Sequence, residues 1–157
     1  MSKVQIVVSG LGWMGGGVGS IESAIQELIE NAQDEILLTA YSIGNADHIF
    51  DLLDSALARG VRVRMIINRL TEQHSSVQNR LEELRKDFPH FCLHPFHPDG
   101  ERGDLHAKVL VVDRRYALVG SSNLSYNGLI LNHELAVLIE GQVASAIGTA
   151  LDKLFRI

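Results

Sequence analysis

His106 to Asn123 reads HAKVLVVDRRYALVGSSN, and this stretch decides the fold. Val109-Leu110-Val111-Val112 is an apolar, mostly β-branched run of the kind a buried strand accepts. Asp113-Arg114-Arg115 interrupts it, and Tyr116-Ala117-Leu118-Val119 resumes it. The spacing predicts a hairpin, with strands over residues 105–112 and 116–120 joined by a tight turn. Residues two apart on a strand share a face, so His106 and Lys108 are expected to project together. The returning strand brings Ser121 and Asn123, again two apart, back to the same end.

Working outward, residues 3–9 form a β-branched run that enters a glycine-rich segment, residues 10–19. Ile21, Ala24, Ile25, Leu28 and Ile29 then recur at helical spacing, with Ser20 placed to cap the helix. A strand is predicted over residues 35–41, then a helix marked by Ile49, Leu52, Leu53, Ala56 and Leu57 and closed by Gly60. Residues 61–67 form the next strand. Val77, Leu81, Leu84 and Phe88 mark a third helix ended by Pro89, and residues 91–96 another strand. A polar loop over residues 98–103 leads into the hairpin. Beyond it come a strand over residues 134–139 and a last helix through Ala144, Ile147, Leu151 and Leu154. Helices alternate with strands early and a hairpin comes late. The expected class is therefore α/β, a mixed sheet flanked by helices on both faces, in one domain over residues 1–157.

Composition sets bounds. A chain of 157 residues can bury roughly 70% of its unfolded surface, enough for a core without disulfides or metal. No apolar stretch approaches the ~20 residues that span a bilayer. The N-terminus lacks the pattern of a secretory signal, so a cytoplasmic protein without integral membrane association is expected. The lone Cys92 lies in the apolar run Phe91-Cys92-Leu93 and reads as a buried thiol. The net charge of -5 argues against holding long nucleic-acid tracts by global charge. A polyanion would be met by a local patch, for which Arg62, Arg64, Arg69, Arg114 and Arg115 are candidates.

His106, Lys108, Asp113, Gly120, Ser121 and Asn123 together form a specific pattern. Six residue types at fixed spacing arise by chance about once in several hundred thousand at ~5% usage each. An imidazole, an ammonium, a hydroxyl and an amide converging on one spot suit a phosphodiester anion, whose charge must be neutralised as phosphorus is attacked. A neutral imidazole can supply a nucleophile without a metal.

These residues resemble the HKD motif and trailing Gly-Ser-x-Asn of the phospholipase D superfamily. The resemblance implies a phospholipase D-like domain and a covalent phosphohistidine formed on His106, with no cofactor and no metal. It implies that Lys108 and Asn123 grip the non-bridging oxygens, that Ser121 supports them, and that Asp113 is structural. Glu134 resembles the downstream acid that hydrogen-bonds the catalytic imidazole. The family mechanism uses two histidines, yet none of the other six histidines here has a lysine two residues on. A homodimer with a shared active site is therefore expected.

Small single-motif members of the superfamily include bacterial endonucleases, so the expected substrate is nucleic acid, DNA or RNA, with Trp13, Arg114 and Arg115 as substrate-binding candidates. The alternatives are a phospholipase or phosphatidyltransferase acting on lipid headgroups, and a catalytically idle phosphate-binding module. Two further patterns are set aside. Gly10-x-Gly12-x-x-Gly15 imitates a dinucleotide fingerprint, but Gly16, Gly17 and Gly19 delay the helix and no acid ends the next strand, so a flexible loop is expected. His90, His94, His97 and Asp99 match no standard zinc spacing.

Overall fold

The computed structural model describes residues 1–99 and 102–157, so the expected loop over residues 98–103 lies partly outside the described residues. In chain order the elements are β1 (Lys3–Ser9), β2 (Gly19–Ser20), α1 (Ile21–Glu30), β3 (Glu35–Ala40), β4 (Ile43–Gly44), α2 (Asp47–Ala58), β5 (Arg62–Asn68) and α3 (Ser75–Asp87). Then follow β6 (Phe91–Phe96), β7 (Val109–Val112), β8 (Tyr116–Gly120), β9 (Leu124–Ser125), β10 (Glu134–Glu140) and α4 (Gln142–Leu154). A 3₁₀ turn (Leu70–Glu72) and a π-helical turn (Asn127–Leu131) complete the set.

Eight strands make one sheet in the order β2-β1-β10-β8-β7-β3-β5-β6. The β3-β5-β6 half is parallel, and β7, β8, β10 and β1 pair antiparallel. The expected mixed sheet with helices on both faces is what forms. Ile36, Leu38, Val63, Met65 and Ile67 face α1, α2 and α3, while Leu37, Val111 and Ala117 face Ala144 and Leu151 of α4. Every residue of β3 is buried, which explains why it reads as a nearly continuous apolar run. Ser20 caps α1 by accepting the Ser23 N–H at 3.1 Å, and Gly60 closes α2 at φ 91°.

The hairpin turn carries a load of its own. Asp113 and Arg114 both take left-handed backbone, φ 52° and 54°, and the Arg115 N–H bonds the Val112 carbonyl at 3.0 Å, a type I′ turn. The Asp113 carboxylate accepts the backbone N–H groups of Gln33, Asp34 and Glu35 at 2.9, 2.8 and 3.0 Å. It thus ties the turn to the start of β3. Asp113→Ala removes three charge-assisted hydrogen bonds and puts a Cβ residue without local bonding into left-handed space. We expect a loss of about 2–4 kcal/mol in urea-unfolding stability. A midpoint within error of wild type would refute the clamp.

Two expectations fail here. Cys92 is exposed, because β6 is an edge strand whose alternate residues face outward. The first strand of the hairpin begins at Val109 and not at residue 105. The pairing of β7 with β3 stops at Leu110 opposite Leu38, and residues 102–108 form no strand, although the Lys108 carbonyl still accepts the Gly120 N–H at 3.2 Å.

Candidate active site

Side chains hold most of that run in place. The Thr39 hydroxyl donates to the Ala107 carbonyl at 2.8 Å and accepts the Val109 N–H at 2.9 Å. Asn68, buried at the end of β5, accepts the Leu105 N–H at 3.0 Å and donates to Asp104 at 3.3 Å. Asp104 in turn pairs with Arg69 at 2.6 Å. All three supports stand where β3 and β5 end, the edge at which ligands meet open α/β sheets.

His106 and Lys108 do lie side by side. The Lys108 Nζ is 3.0 Å from His106 Nδ1 and donates to the His106 carbonyl at 2.8 Å. An ammonium has only donors, so Nδ1 accepts. Tyr41, at the end of β3, packs its ring 4.4 Å from the imidazole, and Lys108 sits 5.2 Å from the same ring. His106 is exposed and Lys108 half-buried. Burial pushes the Lys108 pKa below the ordinary lysine value, and the Glu134 charge partly opposes this.

The other candidates separate. Ser121 donates a short bond to Glu134 and accepts the Leu135 N–H at 3.3 Å. Glu134 also receives the Asn132 amide at 3.5 Å. Its expected bond to the imidazole of its own chain is absent among the described residues, since the carboxylate is engaged by Ser121. Asn123 turns inward. With Lys108, Thr39 and Tyr41 it lines a cavity of about 30 Å³, and its Oδ1 is buried without a partner among the described residues. Gly120, at the end of β8, lies close against β10, since a Cβ there would stand 2.5 Å from that of Ala136.

Trp13 follows β1 at the same sheet edge, where Ser9 pairs with Glu134. Arg114 and Arg115 do not line the site. They occupy the hairpin turn, at the opposite end of β7 and β8 from His106 and Lys108. Arg114 pairs with Glu35, and with Asp152 at 2.8 Å, while Arg115 pairs with Glu140 at 2.9 Å. Arg114, then Arg64, hold the Asp152 carboxyl down to about 2 against its partial burial. Arg64 is likewise spent on Asp152 at 2.8 Å. Sequence reasoning missed Thr39, Asn68 and Tyr41, whose only signal is position at the ends of predicted strands. Of the declined histidines, His90 bonds the Leu57 carbonyl at 2.8 Å and His94 packs on Phe155.

An exposed imidazole, its lysine neighbour and a nearby Ser–Glu pair thus meet at one end of a mixed α/β sheet. The family described as cardiolipin synthase, PLD-like domain matches residues 25–156, and the chain belongs to the phospholipase D superfamily. DISARM protein DrmC of Bacillus paralicheniformis is 34% identical over 139 residues, 85% of this chain and 55% of that protein. Cardiolipin synthase A of Buchnera aphidicola is 26% identical over 157 residues, 97% of this chain and 30% of that one. The chain thus spans about half the length of the first and under a third of the second. Among solved structures, the phospholipase D family member Nuc from Salmonella typhimurium has a TM-score of 0.76 at 22% identity, covering 99% of this chain and 93% of that one. That likeness shows the fold alone. Among the described residues, no helix is long and apolar enough to cross a membrane.

Proposed function

We propose that this chain is a metal-independent nuclease that works through a phosphohistidine in a site shared by two copies. The observation that carries the reading is the exposed His106 imidazole held 3.0 Å from the partly desolvated Lys108 ammonium. His106 Nε2 attacks phosphorus, the bond to the leaving oxygen breaks, and that oxygen takes a proton from His106 of the second copy. Water then attacks the phosphohistidine, returns a proton to that second imidazole, and frees the first. Lys108 neutralises charge on the non-bridging oxygens, and the Asn123 amide N–H donates to them.

The need for a second copy has support within one protomer. Lys108 donates to His106 Nδ1, which leaves the ring proton on Nε2, the atom that must attack. A carboxylate facing Nδ1 reverses this tautomer. Glu134 is engaged by Ser121 and not by its own His106, so we assign it to the imidazole of the facing copy. An open edge, with its nucleophile exposed and only a small cavity beneath, suits a polymer lying across the surface better than a lipid tail seeking an apolar channel. One observation favours a second reading, phosphatidyl transfer: the matching family is described by cardiolipin synthase.

The test incubates the protein with single- and double-stranded DNA, RNA and a short-chain phosphatidylcholine, all with EDTA. Nucleic-acid cleavage that survives EDTA supports the nuclease. Lipid turnover alone supports the second reading, and inactivity throughout points to a phosphate-binding module. Equal mixtures of wild type and His106→Ala, allowed to exchange subunits, should retain about a quarter of the activity if both histidines are needed in one site. Retention of half would exclude the shared site.

A further inference from the structure

The glycine-rich loop is not free. Gly12 N–H donates to His133 Nε2 at 2.9 Å, and the Trp13 indole N–H donates to the Ser9 carbonyl. A Cβ on Gly12 would stand 2.4 Å from His133 Nε2, and one on Gly10 2.9 Å from the His133 ring. Gly10 and Gly12 are therefore glycines because the loop lies directly on this histidine. Gly15, Gly16 and Gly17 face open space but take φ of 107°, 62° and 86°, which completes the loop's reversal. The Trp13 ring sits 6.2 Å from His133, yet remains 42% exposed.

His133 directly precedes Glu134, and β1, β10, β8 and β7 lie in that order across the sheet. β1, which leads into Trp13, and β7, which the His106–Lys108 pair precedes, are three strand spacings apart, ~14 Å. Residues 4–21 carry no charged side chain, so the loop cannot hold a phosphate by charge. Its offering is one large aromatic surface beside a phosphate-gripping pair.

We propose that His133 is a positioning residue that clasps the loop so that Trp13 stacks an unpaired base of a single-stranded nucleic acid, a nucleotide or two from the scissile phosphate. This rests on the nuclease reading and adds its strand preference. The clasp needs an acceptor at the Nε2 position, which the Gln amide oxygen reproduces and Leu does not. Stacking on an aromatic side chain tolerates any base but requires that the base be unpaired.

Trp13 is the chain's sole tryptophan, so its fluorescence reports on this loop alone. Titrating an oligothymidylate into His106→Ala protein should quench that emission, whereas an abasic oligonucleotide of equal length should not. In the otherwise wild-type enzyme, Trp13→Ala should raise KM for the oligothymidylate roughly 5- to 100-fold with little change in kcat, and leave the abasic strand unaffected. His133→Leu should do the same, with a red-shifted and more quenchable emission, and His133→Gln should recover most of the difference. If wild type cleaves the oligothymidylate and both variants match it, the stacking role is wrong while the nuclease stands. If wild type cleaves no nucleic acid, both fall together. A loss in His133→Gln equal to that in His133→Leu would overturn the clasp.

Discussion

His106→Ala should lower turnover by about 10⁴-fold or more while leaving the fold intact, because the proposed mechanism loses its nucleophile and its acid in one substitution. In a shared site each copy of His106 plays one of the two roles, so the variant homodimer retains neither. The side chain is exposed, and among the described residues its polar contact is with Lys108, so unfolding stability should stay within about 0.5 kcal/mol of wild type. The covalent step makes a second check possible. A P–N bond hydrolyses in acid, so wild-type protein quenched in alkali during turnover of a labelled substrate should carry label that acid removes. The His106→Ala protein should carry none. An alanine variant that still turns over substrate within tenfold of wild type would mean that His106 does not attack phosphorus.

How much of this was legible depended on how local each signal is. The hairpin, the Ser20 cap and the amphipathic helices are written in short-range periodicity and were readable directly. Thr39 and Asn68 lie 70 and 37 residues before the backbone groups they hold, Val109 and Leu105. Only the strand order brings them there, and no local pattern states it. The same blindness cost Arg114: its pairing with Glu35 and Asp152 joins three separate elements, so from the sequence alone it looked free to bind phosphate. Cys92 failed for a related reason, since an apolar run does not say whether its strand is central or at the edge. His133 was passed over because a histidine without a lysine two residues on carried no motif, although Gly10 and Gly12 lie directly against it.

Lys108→Met separates the chemistry of the site from the stability of the fold. Burial lowers the Lys108 pKa, with the nearby Glu134 charge opposing, so the folded protein binds this proton less tightly than the unfolded chain. Between the depressed value and the ordinary lysine value, the unfolded state holds more protons, and stability rises with pH across that window. At neutral pH the charged, partly desolvated ammonium is therefore a cost to folding, and methionine relieves it while keeping the apolar stem. Lys108→Met should be as stable as wild type or slightly more so, yet lose roughly 10²- to 10⁴-fold in kcat/KM, because developing charge on phosphorus loses its nearest cation. Lys108→Arg should recover little, since a planar guanidinium cannot occupy the point contact between the His106 carbonyl and ring. The wild-type rate should fall on the alkaline side at a pH below that of an ordinary lysine, and this limb should vanish in Lys108→Met. Wild-type kcat/KM in the methionine variant, or an alkaline limb that persists there, would remove Lys108 from the reaction. Lost stability with unchanged kcat/KM would recast it as a structural lysine.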